Sequence, residues 1–250
     1  MNSIQRNLSI FNKFKFERPP VGVKFLPTKP AGVKRLDKVF DFCEMLKEAQ
    51  EAGSFYAAKE DFTCVGPLLL GMVERDPIFE SGLVGPALQV FKEGRANRRV
   101  YQIIPKLPKG TINYVAFSPL LKLSFEPDVL IVTANPSQAE VLLRASSYTT
   151  GKPWSSKGTP IIGCAWLYIY PYVSGELNFT VTGFGFGMKS RRLFPEGQIL
   201  VSIPWDVIPS MIDNLQEMKW VPHSFTIGRD KHKKKIKRIV ETLKQQVPTK

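Results

Sequence analysis

The stretch PDVLIVTANPSQAEVLLRASSYTTG (127–151) constrains the fold more than any other part of the chain. Val129–Thr133 is a short run of β-branched and apolar residues bounded by a proline and by Asn-Pro, which predicts a buried strand. A helix is expected from about Ser137, where Ser137 and Glu140 match the spacing of a capping box. Shorter strands are predicted over VGVKFL (21–26), SFYAAKE, TINYVAFSPL, LNFTVTG and QILVSIPW. An amphipathic helix is predicted from Leu36 to about Gly53, with Leu36, Val39, Phe40, Cys43 and Leu46 on one stripe. CVGPLLLGM reads as a turn or short buried helix, because Pro67 is tolerated in a first helical turn. GCAWLYIYPYVSG is apolar enough for either helix or strand. Helices alternate with strands unevenly and no internal repeat stands out. The expected class is therefore α+β: a mixed sheet with surrounding helices, in one domain that is either undivided or two-lobed.

Charge divides the chain more sharply than hydropathy does. Net charge is +13, yet residues 1–36 and 222–250 each carry +7 while 37–221 carry −1. Only residues 37–221 are neutral; the predicted division is a basic N-terminal segment (1–14), an α+β body (15–221) and a basic C-terminal helix (222–250). The neutral 37–221 stretch is not the surface of a fold built to bind nucleic acid across its face. Apolar residues make up 43% and charged residues 23%, as in ordinary globular domains. No apolar run approaches the roughly 20 residues of a membrane span. The first residues lack a signal-peptide core. Three widely spaced cysteines do not form a secreted disulfide framework, so a reducing cytoplasm is the expected setting.

Several stretches taken together resemble a known family: RPPVGVKF (18–25), FCEMLKEAQEAGSFYAAKEDFTCVGPLLLG (42–71), DVLIVTANPSQAEVLLRA (128–145), and CAWLYIYPYVSGELNFTVTGFGFGMKSRRLF followed by EGQILVSIPWDVI. In their order they are similar to domain of unknown function 169, a family of uncharacterised archaeal and bacterial proteins. The resemblance covers roughly residues 15–220. It implies that Cys43, Cys64 and Cys164 are all family positions, and it implies no reaction.

Thiolates bind zinc, copper(I) and iron–sulfur clusters, and three of them leave one position open. The intervening lengths, 20 and 99 residues, match no CxxC ribbon or ferredoxin run. Core packing and ligation both stand as readings, since free cysteine is among the most buried residue types. Cys64 is the strongest single candidate, at a loop–helix junction where a helix dipole favours a thiolate. TGFGFGMKSRR (182–192) offers a second feature. Gly183, Gly185 and Gly187 allow close backbone approach, and Lys189, Arg191 and Arg192 supply cations for an anion. Its spacing is not that of a dinucleotide fingerprint. Asp128, Asn135 and Ser137 surround a strand end, where turn formation and capping compete with ligand binding. His223 and His232 are the only histidines. A catalytic Cys–His pair has no local signature, and no catalytic residue is assigned.

These features predict a metal site, zinc or an iron–sulfur cluster, on Cys43, Cys64 and Cys164. Lys24 with Arg191 or Arg192 would hold a small anionic ligand beside it. The competing expectation is a non-catalytic metabolite-binding protein with core cysteines. The tail GRDKHKKKIKRIVETLKQQVPTK carries Ile236, Ile239, Val240 and Leu243 at i, i+3, i+4 and i+7, the pattern of an amphipathic helix. It is expected either to dock on the body or to meet anionic lipid, nucleic acid or an acidic partner.

Overall fold

The computed structural model describes residues 8–74, 76–181 and 185–246. Six strands form one sheet: β1 Val21–Leu26, β2 Phe55–Ala57, β3 Tyr114–Pro119, β4 Val129–Ala134, β5 Asn178–Val181 and β6 Ile199–Pro204, in the order β2-β3-β1-β4-β6-β5. The helices are α1 Phe42–Ala52, α2 Gly66–Leu69, α3 Pro77–Glu80, α4 Val84–Ala87, α5 Gly94–Ile103 and α6 Pro136–Ser147. They continue with α7 Tyr170–Ser174, α8 Phe186–Ser190, α9 Ile208–Glu217, α10 His223–Thr226 and α11 Arg229–Lys244. A π-helical turn, Ala165–Ile169, runs directly into α7. The α+β class is as the sequence predicts.

Strand residues alternate between two cores, because successive side chains of a strand point to opposite faces. Val21, Val23, Phe25, Val129 and Ile131 enter one core, with α1 and the π-helical turn. Leu130, Val132, Val201 and Ile203 enter the other, with α6, α9 and the N-terminal 3₁₀ turn Leu8–Phe14. The two cores are thus the two faces of one sheet.

Every strand pairing is antiparallel, which corrects the expectation of a mixed sheet. The reason lies in the connections. The chain passes from β1 through α1 to β2, but β3 returns and inserts between them, giving a split β–α–β unit. The second half repeats the plan: β4 leads through helices to β5, and β6 inserts between those two.

The repeat extends to register. Val21 faces Pro119 and Val23 faces Phe117, as Val129 faces Pro204 and Ile131 faces Ser202. On the outer pairs, Phe55 faces Phe117 and Ala57 faces Val115, as Asn178 faces Ser202 and Thr180 faces Leu200. The halves join through β1 and β4 symmetrically about the Gly22–Leu130 pair. Each inserted strand ends on a proline followed by a 3₁₀ turn, Leu120–Lys122 or Trp205–Val207. The structure therefore contains a pseudo-twofold repeat that the sequence does not display.

Three local expectations also change. The first helix begins at Phe42, because Asp41 caps it and Arg35 and Phe40 are drawn into bridges with Tyr56 and Phe62. The capping box of α6 is Asn135 with Gln138, with Pro136 in the first turn, so the helix starts ahead of Ser137. The C-terminal helix α11 exposes every residue, including the stripe Ile236, Ile239, Val240 and Leu243, and does not dock on the body. Among the described residues no helix is long and apolar enough to cross a membrane.

The junction of the halves leaves no room at Gly22. A Cβ there would lie 2.5 Å from Pro127 Cγ and 2.8 Å from Leu123 Cδ2. Gly22→Val is expected to lower unfolding stability by about 1–3 kcal/mol through overpacking, read as a reduced urea midpoint at unchanged slope.

Candidate functional site

The three cysteines come from distant segments and line one cavity of about 230 Å³. Cys43 is the second residue of α1, and Cys64 stands two residues before α2. Cys164 occupies the helical turn that leads into Ala165–Ile169. All three therefore sit where backbone N–H groups lack intrahelical acceptors and the helix dipole is positive. At Cys64 this is seen directly: its Sγ accepts the N–H of Phe42 at 3.2 Å and that of Gly66 at 3.3 Å. The sulfur takes up a donor that the first turn of α1 would otherwise leave unpaired.

Asp41 ties the surrounding segments together. Its backbone N–H donates to Glu44 Oε2 at 2.7 Å, which closes the start of α1. Its buried carboxylate accepts the Thr63 hydroxyl at 2.6 Å, one residue before Cys64, and forms an ion pair with Arg191. Arg191 Nη1 in turn donates to the carbonyl of Gly187 at 3.2 Å, fixing the end of α8. Beneath the cysteines, Tyr168 stacks on Phe42 with ring centroids 4.1 Å apart and donates its hydroxyl to the Phe42 carbonyl at 3.2 Å. Ile162, which also lines the cavity, has φ 59°. That conformation is costly for a β-branched residue, so the entry to Cys164 is strained backbone followed by a π turn. Both are features that concentrate at functional sites.

Burial makes these thiols weak acids. It pushes Cys43 up to about 12, with the neighbouring Cys64 and Asp41 adding to the rise. Cys64 is pushed up to about 11, burial outweighing the two N–H donors that favour its thiolate. Cys164 is raised well above an ordinary thiol by burial, then by Cys64 and Cys43. Cys43 and Cys164 thus feel neighbouring sulfurs, and burial and the same three cysteines push the Tyr168 phenol upward as well.

The anion-site candidates divide. Gly185, Gly187 and Arg191 line the cysteine cavity, and Gly183 lies outside the described residues. Arg192 is exposed, with φ 49°, and does not line the cavity. Lys24 is elsewhere, paired at 3.4 Å with Asp128, whose carboxylate also accepts the Phe25 N–H at 2.7 Å. Burial raises the Asp128 carboxyl despite those partners. Asn135 caps α6, and Ser137 lies in its first turn. His223, exposed at the start of α10, does not reach the cavity lining, so no Cys–His pair forms there. A second chamber of about 610 Å³ shares Gly163, Gly185, Phe186 and Met188 with the first and presents Lys157 and Lys189.

Sequence reasoning missed Asp41, Thr63, Tyr168 and the Lys157 chamber. Asp41 and Thr63 flank cysteines already singled out, so adjacency was their only signal. Among the described residues, no group of three or more His, Cys, Asp and Glu side chains is set to hold a metal ion.

An antiparallel split-β–α–β sheet carrying a thiol-lined cavity on one face defines the class of protein. The chain belongs to the family domain of unknown function 169, described as "Uncharacterised ArCR", whose model matches residues 9–214. No curated protein and no solved structure matches it.

The raised thiols carry a consequence for stability. Between pH 9 and about 12 the folded state keeps protons that the unfolded chain has released. Their stabilising contribution is complete below pH 9 and is lost as pH rises through that window. Urea midpoints measured from pH 8 to pH 11 are expected to fall in the wild type and to fall less steeply in Cys43→Ser/Cys64→Ser.

Proposed function

We propose that the protein binds an iron–sulfur cluster through Cys43, Cys64 and Cys164, beside a pocket for a small anionic ligand, in a reducing cytoplasm. The observation that carries this reading is the convergence of three sequence-distant cysteines on one cavity, with two backbone N–H groups already aimed at one sulfur. Hydrogen bonds to sulfur stabilise ligated thiolates and tune cluster potentials. Three thiolates that leave one position open are compatible with a cluster or a zinc ion, and iron and sulfide content separates the two.

Three thiols supply donors of the chemical type such a group takes. Neutral buried thiols cost little while the site is metal-free, and ligation converts them to thiolates with proton release. The positive helix ends and Arg191 then face the accumulated negative charge. The adjoining chamber, with Lys157 and Lys189, offers a route for an anionic molecule to approach the sulfurs. That same chamber supports a second reading, in which the protein binds an anionic metabolite and its cysteines serve only the core.

Anaerobic purification followed by iron and sulfide analysis and visible spectroscopy tests the proposal. Bound iron, acid-labile sulfide and thiolate-to-iron absorption are expected in the wild type. Each single Cys→Ser variant is expected to reduce cluster occupancy by about tenfold, a loss comparable with removing a supporting metal-site interaction. A metal-free wild type whose stability survives replacement of all three cysteines would falsify the cluster reading and leave the metabolite-binding one.

A further inference from the structure

The chamber of about 610 Å³ beside the thiol cavity carries positive charge that its own walls do not offset. Its described lining includes Lys157 and Lys189 and no carboxylate. Neither ammonium has a carboxylate within ion-pair distance among the described residues. Glu176, the acid whose field reaches Lys157, is paired with Lys152 at 3.1 Å and accepts the Tyr170 hydroxyl. The Lys157 ammonium lies instead over the Tyr170 ring, 4.6 Å from its centroid. Two cations thus share one open chamber with no counter-ion from the protein.

The walls are fastened before any ligand arrives. Asn178, at the start of β5, is 2% exposed. Its Oδ1 accepts the Lys157 N–H at 2.8 Å, and its Nδ2 donates to the carbonyls of Lys157 at 3.0 Å and Trp166 at 2.9 Å. One buried side chain therefore holds the Lys157 backbone on both sides and ties it to the π turn. The Trp166 indole donates to Thr159 Oγ1 at 2.9 Å, and the Phe186 N–H donates to the Pro160 carbonyl at 2.7 Å. Beside Lys157, Gly158 adjoins open space, with no heavy atom within 4 Å of where a Cβ would stand. A site held in this way loses little conformational entropy on binding.

The wall shared with the thiol cavity is apolar: Gly163, Gly185, Phe186 and Met188 line both, while the two lysines line only the larger chamber. Its described lining also lacks arginine, whose planar fork matches a carboxylate; two ammonium groups act as point charges and suit a dianion. We infer that this chamber binds a phosphomonoester with a compact apolar body. The phosphate lies between Lys157 and Lys189, and the body rests on Trp166, Phe186 and Met188, toward the thiols. The inference rests on the anionic-ligand pocket of the reading above and not on the cluster, and it names the ligand's class.

Isothermal titration calorimetry of the full chain with phenyl phosphate, inorganic phosphate and benzoate tests it. Phenyl phosphate is expected to bind with a Kd of about 1 mM or tighter, and more tightly than either of the others. Lys157→Gln and Lys189→Gln, both at exposed positions, are each expected to weaken it about tenfold, as losing a hydrogen bond to a charged group does. Arg192→Gln, which lines neither chamber, should leave binding unchanged.

Undiminished binding in a Lys157→Gln/Lys189→Gln double variant, shown to be folded by circular dichroism, overturns the inference. A wild type that prefers benzoate, or that binds inorganic phosphate as tightly as phenyl phosphate, overturns the ligand class and leaves the anion pocket standing. A wild type that binds none of the three probes sinks the inference and the anion pocket together. Iron and sulfide content decides the cluster reading separately from all of these.

Discussion

One buried carboxylate holds the site together. Asp41 precedes α1, and its side chain receives the Thr63 hydroxyl and the Arg191 guanidinium. The three segments it joins carry Cys43, Cys64 and Gly187. The Asp41 side chain is 3% exposed and that of Arg191 36%, so the pair is only half withdrawn from water. Its Coulomb energy is accordingly modest, because the exposed partner keeps much of its hydration. Its importance is positional: a charge buried this deeply must be met by fixed donors, and meeting it forces three loops into one place.

The second organising fact is the pseudo-twofold repeat. The two halves share strand registers, and the helical segment before each outer strand packs into the same core on one face of the sheet. Helix starts bring unpaired N–H groups and partial positive charge. A fold that brings two such starts to one cavity has built a place for negative charge before any side chain is chosen. Cys64 lies against one of those starts, its sulfur accepting the Phe42 N–H at the beginning of α1.

Much of this fold is written in local pattern. The strands at 21–26 and 129–134 are flanked by prolines and carry apolar runs, so their neighbours in sequence suffice to find them. The mixed-sheet expectation failed because a split β–α–β unit has the local pattern of a parallel crossover. Only the later insertion of β3 or β6 makes each neighbour antiparallel. The repeat is hidden because equivalent strand positions, such as Phe55 and Asn178, share a register and not a residue type. Lys24 looked like a free cation in a strand, but Asp128, 104 positions away, claims it. The convergence of Cys43, Cys64 and Cys164 is likewise a long-range fact, though their candidacy was legible.

The weak acidity of the thiols and the N–H groups aimed at Cys64 oppose each other. Burial wins in the metal-free protein, holding Cys64 near 11 despite two donors. A nucleophilic cysteine needs the opposite balance, with its thiolate favoured near neutral pH, and no histidine lines the cavity to supply it. A ligating cysteine does not need that balance, because the metal itself displaces the proton. Under the proposed cluster reading, the N–H donors that fail to ionise Cys64 alone would stabilise the charge that ligation leaves on its sulfur. The geometry at Cys64 therefore argues against a nucleophile, and under the proposed reading its two N–H donors would already be in place for a ligated sulfur.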